Sequence, residues 1–165
     1  MKLKIAAFGK LKTPGLRDAL DYYFRNLRPW VELQELELKA LPVPDKSPAT
    51  RSEIQRKEGA LLLEKLAPSL GERGILILLD EGGTALASRQ WADQLGQWEK
   101  DGIRESCFVI GGSLGFSSEV RARARKILSL GPQTLPHELA RVVLGEQLYR
   151  AYSLLNGHRY HNEGK

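Results

Sequence analysis

The chain has 165 residues, 42% hydrophobic and 27% charged. These proportions suit one globular domain over 1–165 with one sizeable core and exclude a disordered or fibrous chain. No apolar run approaches the length of a membrane span, and the stretch after Lys2 and Lys4 is too short for a secretory signal. A single cysteine, Cys107, excludes an internal disulfide or a thiolate cluster, and a net charge of +5 favours a polyanionic partner. The expectation is a metal-free cytoplasmic protein with no membrane segment.

Residues 2–8 read as a short strand. Thr13-Pro14-Gly15 opens a helix with Leu16, Leu20, Tyr23 and Leu27 at helical spacing, and Pro29 ends it. Residues 31–38 form a second strand with Glu32, Glu35 and Glu37 toward solvent. Residues 41–49 carry Pro42, Pro44 and Pro48 and read as a loop. A long helix is expected over 52–67.

Residues 74–79 are continuously apolar, as in a central strand covered on both faces. A turn follows over 80–83. Ser88 is a candidate cap for a helix whose buried stripe is Trp91, Leu95 and Trp98, with Asp101-Gly102 as its stop. Residues 107–110 make another buried strand, so Cys107 reads as a core residue. A glycine-rich loop over 111–116, a short helix over 117–125, a last strand over 126–130, a loop over 131–136 and a final helix over 137–156 complete the chain. Alternating strands and helices imply an α/β fold, a mostly parallel sheet with helices on both faces.

In such sheets ligands bind beyond the carboxyl ends of the central strands. Three loops qualify: 79–83, 111–116 and 130–136. Neither G-x-G-x-x-G nor a phosphate-loop pattern is present. Gly111 and Gly112 would let a backbone approach a ligand closely, or would simply make a tight turn. Gly111-Gly112-Ser113-Leu114-Gly115 also fits G-x-S-x-G, the nucleophile elbow of serine hydrolases. For that chemistry no aspartate follows Ser113. Its acid would be Glu119, Glu138 or Glu146 and its base His137.

On the final helix His137, Arg141, Leu144, Leu148, Tyr152 and Leu155 share one stripe. An arginine on a mostly apolar stripe must be paired or must face a ligand, since an unpaired buried charge is costly. Leu139, Val142, Val143 and Leu154 lie outside the stripe, so the helix is apolar on most sides, which hints at a subunit interface. Basic residues cluster at Arg121, Arg123, Arg125 and Lys126, and again at Arg150, His158, Arg159, His161 and Lys165.

Gly111-Gly112, Thr134-Leu135-Pro136-His137, the run from Arg141 to Ala151, and Tyr160-His161 together resemble the RlmH family. These are the 23S rRNA pseudouridine-N3-methyltransferases of the SPOUT superfamily. The likeness covers the whole chain and is densest over 107–161. It implies a C-terminal trefoil knot, a homodimer, S-adenosylmethionine (SAM) as cofactor, and 23S rRNA within the assembled ribosome as substrate. By position it places the cofactor at Leu79, Gly111, Gly112, Leu130, Gly131, Pro132, Gln133, Thr134 and Leu135. The chain departs from the family pattern at Ser113, where proline is frequent, and at His158-Arg159-Tyr160-His161, where the family commonly reads His-Pro-Tyr-His.

The mechanism this implies needs help in removing the imide proton of the base. Arg141 would stabilise the forming imidate, His137, His158 or His161 would accept the proton, and Tyr152 would orient the base or a histidine. A methyltransferase of another RNA, a serine hydrolase using Ser113 and a non-catalytic ribosome-binding protein are the alternatives.

Overall fold

The structure, a computed structural model, describes residues 1–162. Lys165, counted above among the basic tail residues, lies outside them. Five strands form one sheet: β1 (Lys2–Phe8), β2 (Glu32–Leu38), β3 (Gly74–Ala85), β4 (Glu105–Ile110) and β5 (Lys126–Ser129). Their order is β2-β1-β4-β3-β5, and every neighbouring pair is parallel. The helices are α1 (Pro14–Leu27), α2 (Pro48–Leu66), α3 (Ser88–Lys100), α4 (Ser118–Arg123) and α5 (His137–Leu155), with a 3-10 turn at Ala67–Ser69.

The period-two alternation of strand side chains divides the core into two layers. Ile5, Ile77 and Phe108 face α1, α3 and α5, meeting Leu20, Phe24, Trp91, Leu95, Leu144 and Leu148. Ala6, Leu76, Leu78, Cys107 and Val109 face the opposite way, onto Leu62 and Leu66 of α2 and Val120 of α4. Each large aliphatic side chain so buried contributes about 1.5–3 kcal/mol. Cys107 is a core residue as expected: burial, with the Glu105 charge beside it, pushes its thiol pKa up to about 11, which keeps it unreactive.

The structure departs from the sequence reading at identifiable points. α2 begins at Pro48 rather than at residue 52, because Ser47 caps it by accepting from Thr50 N–H at 3.2 Å and Pro48 takes the first helical position. Ser88 does not cap α3; Gln90 Oε1 instead accepts from the Ala87 N–H at 2.7 Å. The expected turn at 80–83 is an excursion within β3. Leu128 of β5 is opposite Leu79 and again opposite Thr84, and the residues between bulge out. Asp80 Oδ1 supports the excursion by accepting from Gly82 N–H at 2.8 Å.

Glu37 is exposed as expected, whereas Glu35 is half-buried, and both carboxylates have partners. Two residues apart on β2, they share the face that carries Leu33 toward α1 and α5, and there they meet arginines. Only Glu32 of the three faces the opposite side of the strand.

Candidate active site at the strand ends

The carboxyl ends of β1, β4, β3 and β5 open into one cleft of about 1130 Å³. That exceeds the roughly 300–1,000 Å³ of most small-molecule sites, which leaves room for two reactants. Its walls are the three loops singled out above. Leu79, Gly111, Gly112, Ser113, Leu130, Gly131, Gln133, Thr134, Leu135 and His137 all line it; Pro132 does not.

The loops are held by specific bonds. Thr134 Oγ1 donates to Glu81 Oε2 at 2.8 Å, tying the 130–136 loop to the β3 bulge. The Ser129 hydroxyl accepts from Gly131 N–H at 3.0 Å and turns that loop away from β5. Arg121 of α4 pairs with Asp80. Although burial opposes it, the Gly82 N–H and this guanidinium hold the Asp80 carboxyl below its ordinary pKa. From α2, Gln55 Nε2 donates to Leu114 O at 2.6 Å and fixes the glycine loop.

Gly111 and Gly112 line the cleft, and on the side where a Cβ would stand they pack against the protein itself. A Cβ on Gly111 would stand 3.0 Å from the Phe116 ring, and one on Gly112 would stand 2.8 Å from Glu58 Oε1. The space is therefore taken by the protein's own side chains. Glu58 is only 6% exposed; burial raises its pKa, and the Leu41 N–H, donating to Oε2 at 3.2 Å, offsets part of that rise.

Four residues were expected to carry the chemistry, and the fold brings only His137 to the cleft wall. Arg141 is wholly buried and is paired: it donates to Glu37 Oε2 at 2.7 Å and to Gly9 O at 2.9 Å, with Glu35 at 3.5 Å. Tyr152 is buried between α5 and α3 and donates to Glu99 Oε1 at 3.1 Å; burial and the Glu99 charge both raise its pKa. His161 lies 3.0 Å from Arg150 Nη1, in a tail folded along the C-terminal half of α5. There the Tyr160 ring packs tilted against Tyr149, centroids 4.3 Å apart, and its hydroxyl donates to Glu146, while His158 packs on Trp30. Counted along the helix, Arg150 is about 20 Å and Tyr152 about 22 Å from His137.

The hydrolase reading loses its parts. Ser113 sits in mid-loop, with β4 ending at Ile110 and α4 starting at Ser118, and among the described residues no non-glycine residue has positive φ. A nucleophile elbow needs a strained turn directly between strand and helix. Glu138 is committed to the backbone N–H groups of Lys12 and Thr13 at the start of α1, and Glu146 to Arg150 and Tyr160.

Sequence reasoning missed the α2 wall, Arg51 and Gln55, and the Asp80–Arg121 pair. Their signal was slight: Asp80 at a strand end and Arg121 within a basic cluster. Among the described residues no group of His, Cys, Asp and Glu is arranged to hold a metal, and no helix is long and apolar enough to cross a membrane.

The family profile described as "Predicted SPOUT methyltransferase" matches residues 1–161. Proteins named ribosomal RNA large subunit methyltransferase H are similar throughout. The one from Trichlorobacter lovleyi is 39% identical over 98% of this chain and 100% of its own length. That of Desulfovibrio desulfuricans is 41% identical over 97% of each, and that of Hyphomonas neptunium 40% over 98% and 99%. A solved structure, a probable methylase family protein from Haemophilus influenzae, shares the fold with a TM-score of 0.55 at 10% identity, covering 99% of this chain and 71% of its own. A parallel sheet with its cleft on three strand-end loops, matched along nearly its whole length, belongs to the SPOUT methyltransferase family.

Proposed function

We propose that this protein is an rRNA methyltransferase that moves a methyl group from SAM to N3 of a pseudouridine in the 23S rRNA of the assembled ribosome, in the cytoplasm. The observation that carries the reading is the agreement between cleft and likeness: of the residues matched to the family's cofactor positions, all but Pro132 line the cleft. Relatives similar over their full length bear the name ribosomal RNA large subunit methyltransferase H. A single domain over 1–165, the trefoil knot and the homodimer belong to the same reading. In support, β5 lies at the sheet edge beside β3, and α5 returns across the face that carries α1 and α3.

The residues present fit SAM. Leu79, Ile110, Leu130 and Leu135 offer apolar walls for an adenine, and the 130–135 loop supplies backbone donors and acceptors for its edge. The Glu81 carboxylate at the cleft offers a negative partner to a cationic ligand, while Asp80 is already paired with Arg121. When bound, the cofactor supplies a methyl group already activated by its sulfonium. The chain's work is to orient it, exclude water and help the base lose its N3 proton.

His161 is remote from the cleft of its own chain, so it reaches a cleft only from a second copy. Exposed Arg51 and Arg121 at the cleft supply phosphate contacts. The rRNA is read by shape and phosphates, with the target base flipped or looped out.

The test is transfer from labelled SAM to ribosomes carrying or lacking the pseudouridine. Transfer only to the former is expected. Equal transfer to both would remove the stated base and keep the enzyme class. No transfer to either, with no SAM binding by calorimetry, would leave a ribosome-binding protein without this activity.

A further inference from the structure

Arg141 decides which nitrogen of His137 carries the proton. A guanidinium has only donors. Arg141 Nη2 lies 3.2 Å from His137 Nδ1, so Nδ1 accepts, and the ring proton sits on Nε2. The guanidinium has little freedom to turn away. Nη1 is held by Glu37 at 2.7 Å and Nη2 by Gly9 O at 2.9 Å. Those anchors are themselves anchored: Glu37 Oε2 also accepts from Leu11 N–H at 2.7 Å, and Glu35 accepts from Arg17 at 2.8 Å.

The ring is also clamped by the backbone. Gly9 has φ +94, which an L side chain rarely adopts, and a Cβ there would stand 3.2 Å from His137 Cε1 and 3.5 Å from Nε2. His137 lines the cleft at the first residue of α5. Among the described residues, Nε2 makes no hydrogen bond.

We propose that His137 serves the cleft as a fixed Nε2–H donor to an oxygen of the bound ligand, with Arg141 as its positioning residue. The identity of that ligand rests on the methyltransferase reading; the tautomer does not. The oxygen is a carbonyl of the target base or the carboxylate of the cofactor. In the transfer, the N3 proton leaves to water, the nitrogen lone pair forms the bond to the methyl carbon, and the carbon–sulfur pair returns to sulfur. Negative charge on the base oxygens rises as the proton leaves, and a donor aimed there stabilises it. His137 is then not the acceptor of that proton, because its Nδ1 is already engaged by a cation.

Nitrogen-15 spectra of the imidazoles in the full chain test the tautomer without substrate. In the neutral form of the His137 ring, the proton is expected on Nε2. A ring protonated at Nδ1 overturns the proposal. The second measurement compares His137→Gln, whose amide reaches the Nε2 position as a donor, with His137→Ala. His137→Ala should lose about 10²–10³-fold in turnover or in affinity for S-adenosylhomocysteine, and His137→Gln should recover to within about tenfold of wild type. Lost turnover at unchanged affinity assigns the bond to the base; lost affinity at unchanged turnover assigns it to the cofactor carboxylate. Equal loss in both variants, or loss in neither, overturns it. Failure of the wild-type chain to methylate ribosomes would count against the methyltransferase reading, while the spectra still judge the tautomer.

Discussion

Replacing Arg141 with methionine keeps the stem of the side chain and removes its charge. Three hydrogen bonds go with it, to Glu37, Gly9 and His137, at 2.7, 2.9 and 3.2 Å. Removing one partner of a fully buried pair costs about 3–5 kcal/mol. Here the stranded carboxylates keep some water, since the Glu35 and Glu37 side chains are 20% and 30% exposed. The expected loss is therefore about 2–3 kcal/mol. Urea unfolding at pH 7 and one fixed protein concentration measures it.

The pH dependence carries a second sign. Burial alone would raise the Glu37 pKa, but the Leu11 N–H and Arg141 hold it below its ordinary 4.5. A depressed carboxyl pKa adds stability that is present above the unfolded value and is lost as pH falls through the folded one. The gap between wild type and variant should thus be widest near neutrality and should narrow below about pH 4.5. A gap under about 0.5 kcal/mol at pH 7, or one that does not change on acidification, would refute the assignment of Arg141 to a structural network.

Other outcomes follow from the same geometry. Gly112→Ala places a Cβ 2.8 Å from Glu58 Oε1 and should cost about 1–3 kcal/mol in thermal unfolding, part of which a second change, Glu58→Ser, should return; an unaffected Gly112→Ala would disprove the filled site. Tyr152→Phe removes the bond to Glu99 and should cost about 0.5–1.5 kcal/mol with turnover unchanged; a tenfold fall in turnover at unchanged SAM affinity would place Tyr152 in the chemistry after all. Ribosome binding should weaken along a steep, linear log–log salt dependence, and a flat dependence would argue against phosphate contacts by Arg51 and Arg121.

The residue pattern alone was enough for the alternation of strands and helices, the central place of 74–79 and 107–110, and the three loops that bound the cleft. Each of these depends on local periodicity or on a strand end, which neighbouring residues encode. The remaining features depend on residues far apart in the chain. The start of α2 was misplaced because Pro48 reads as a loop residue until Ser47 is seen to cap the helix. Gly111 and Gly112 could be read as room for a ligand or as a tight turn; only the fold shows Phe116 and Glu58 packed where their Cβ atoms would stand. Arg141 could be read as paired or as facing a ligand, since the sequence does not say which face of β2 comes to lie against α5. Only packing β2 beside α5 brings Glu37 and Arg141, 104 positions apart, into contact. That contact turns a candidate catalytic arginine into the support of the one candidate, His137, that the fold places at the cleft.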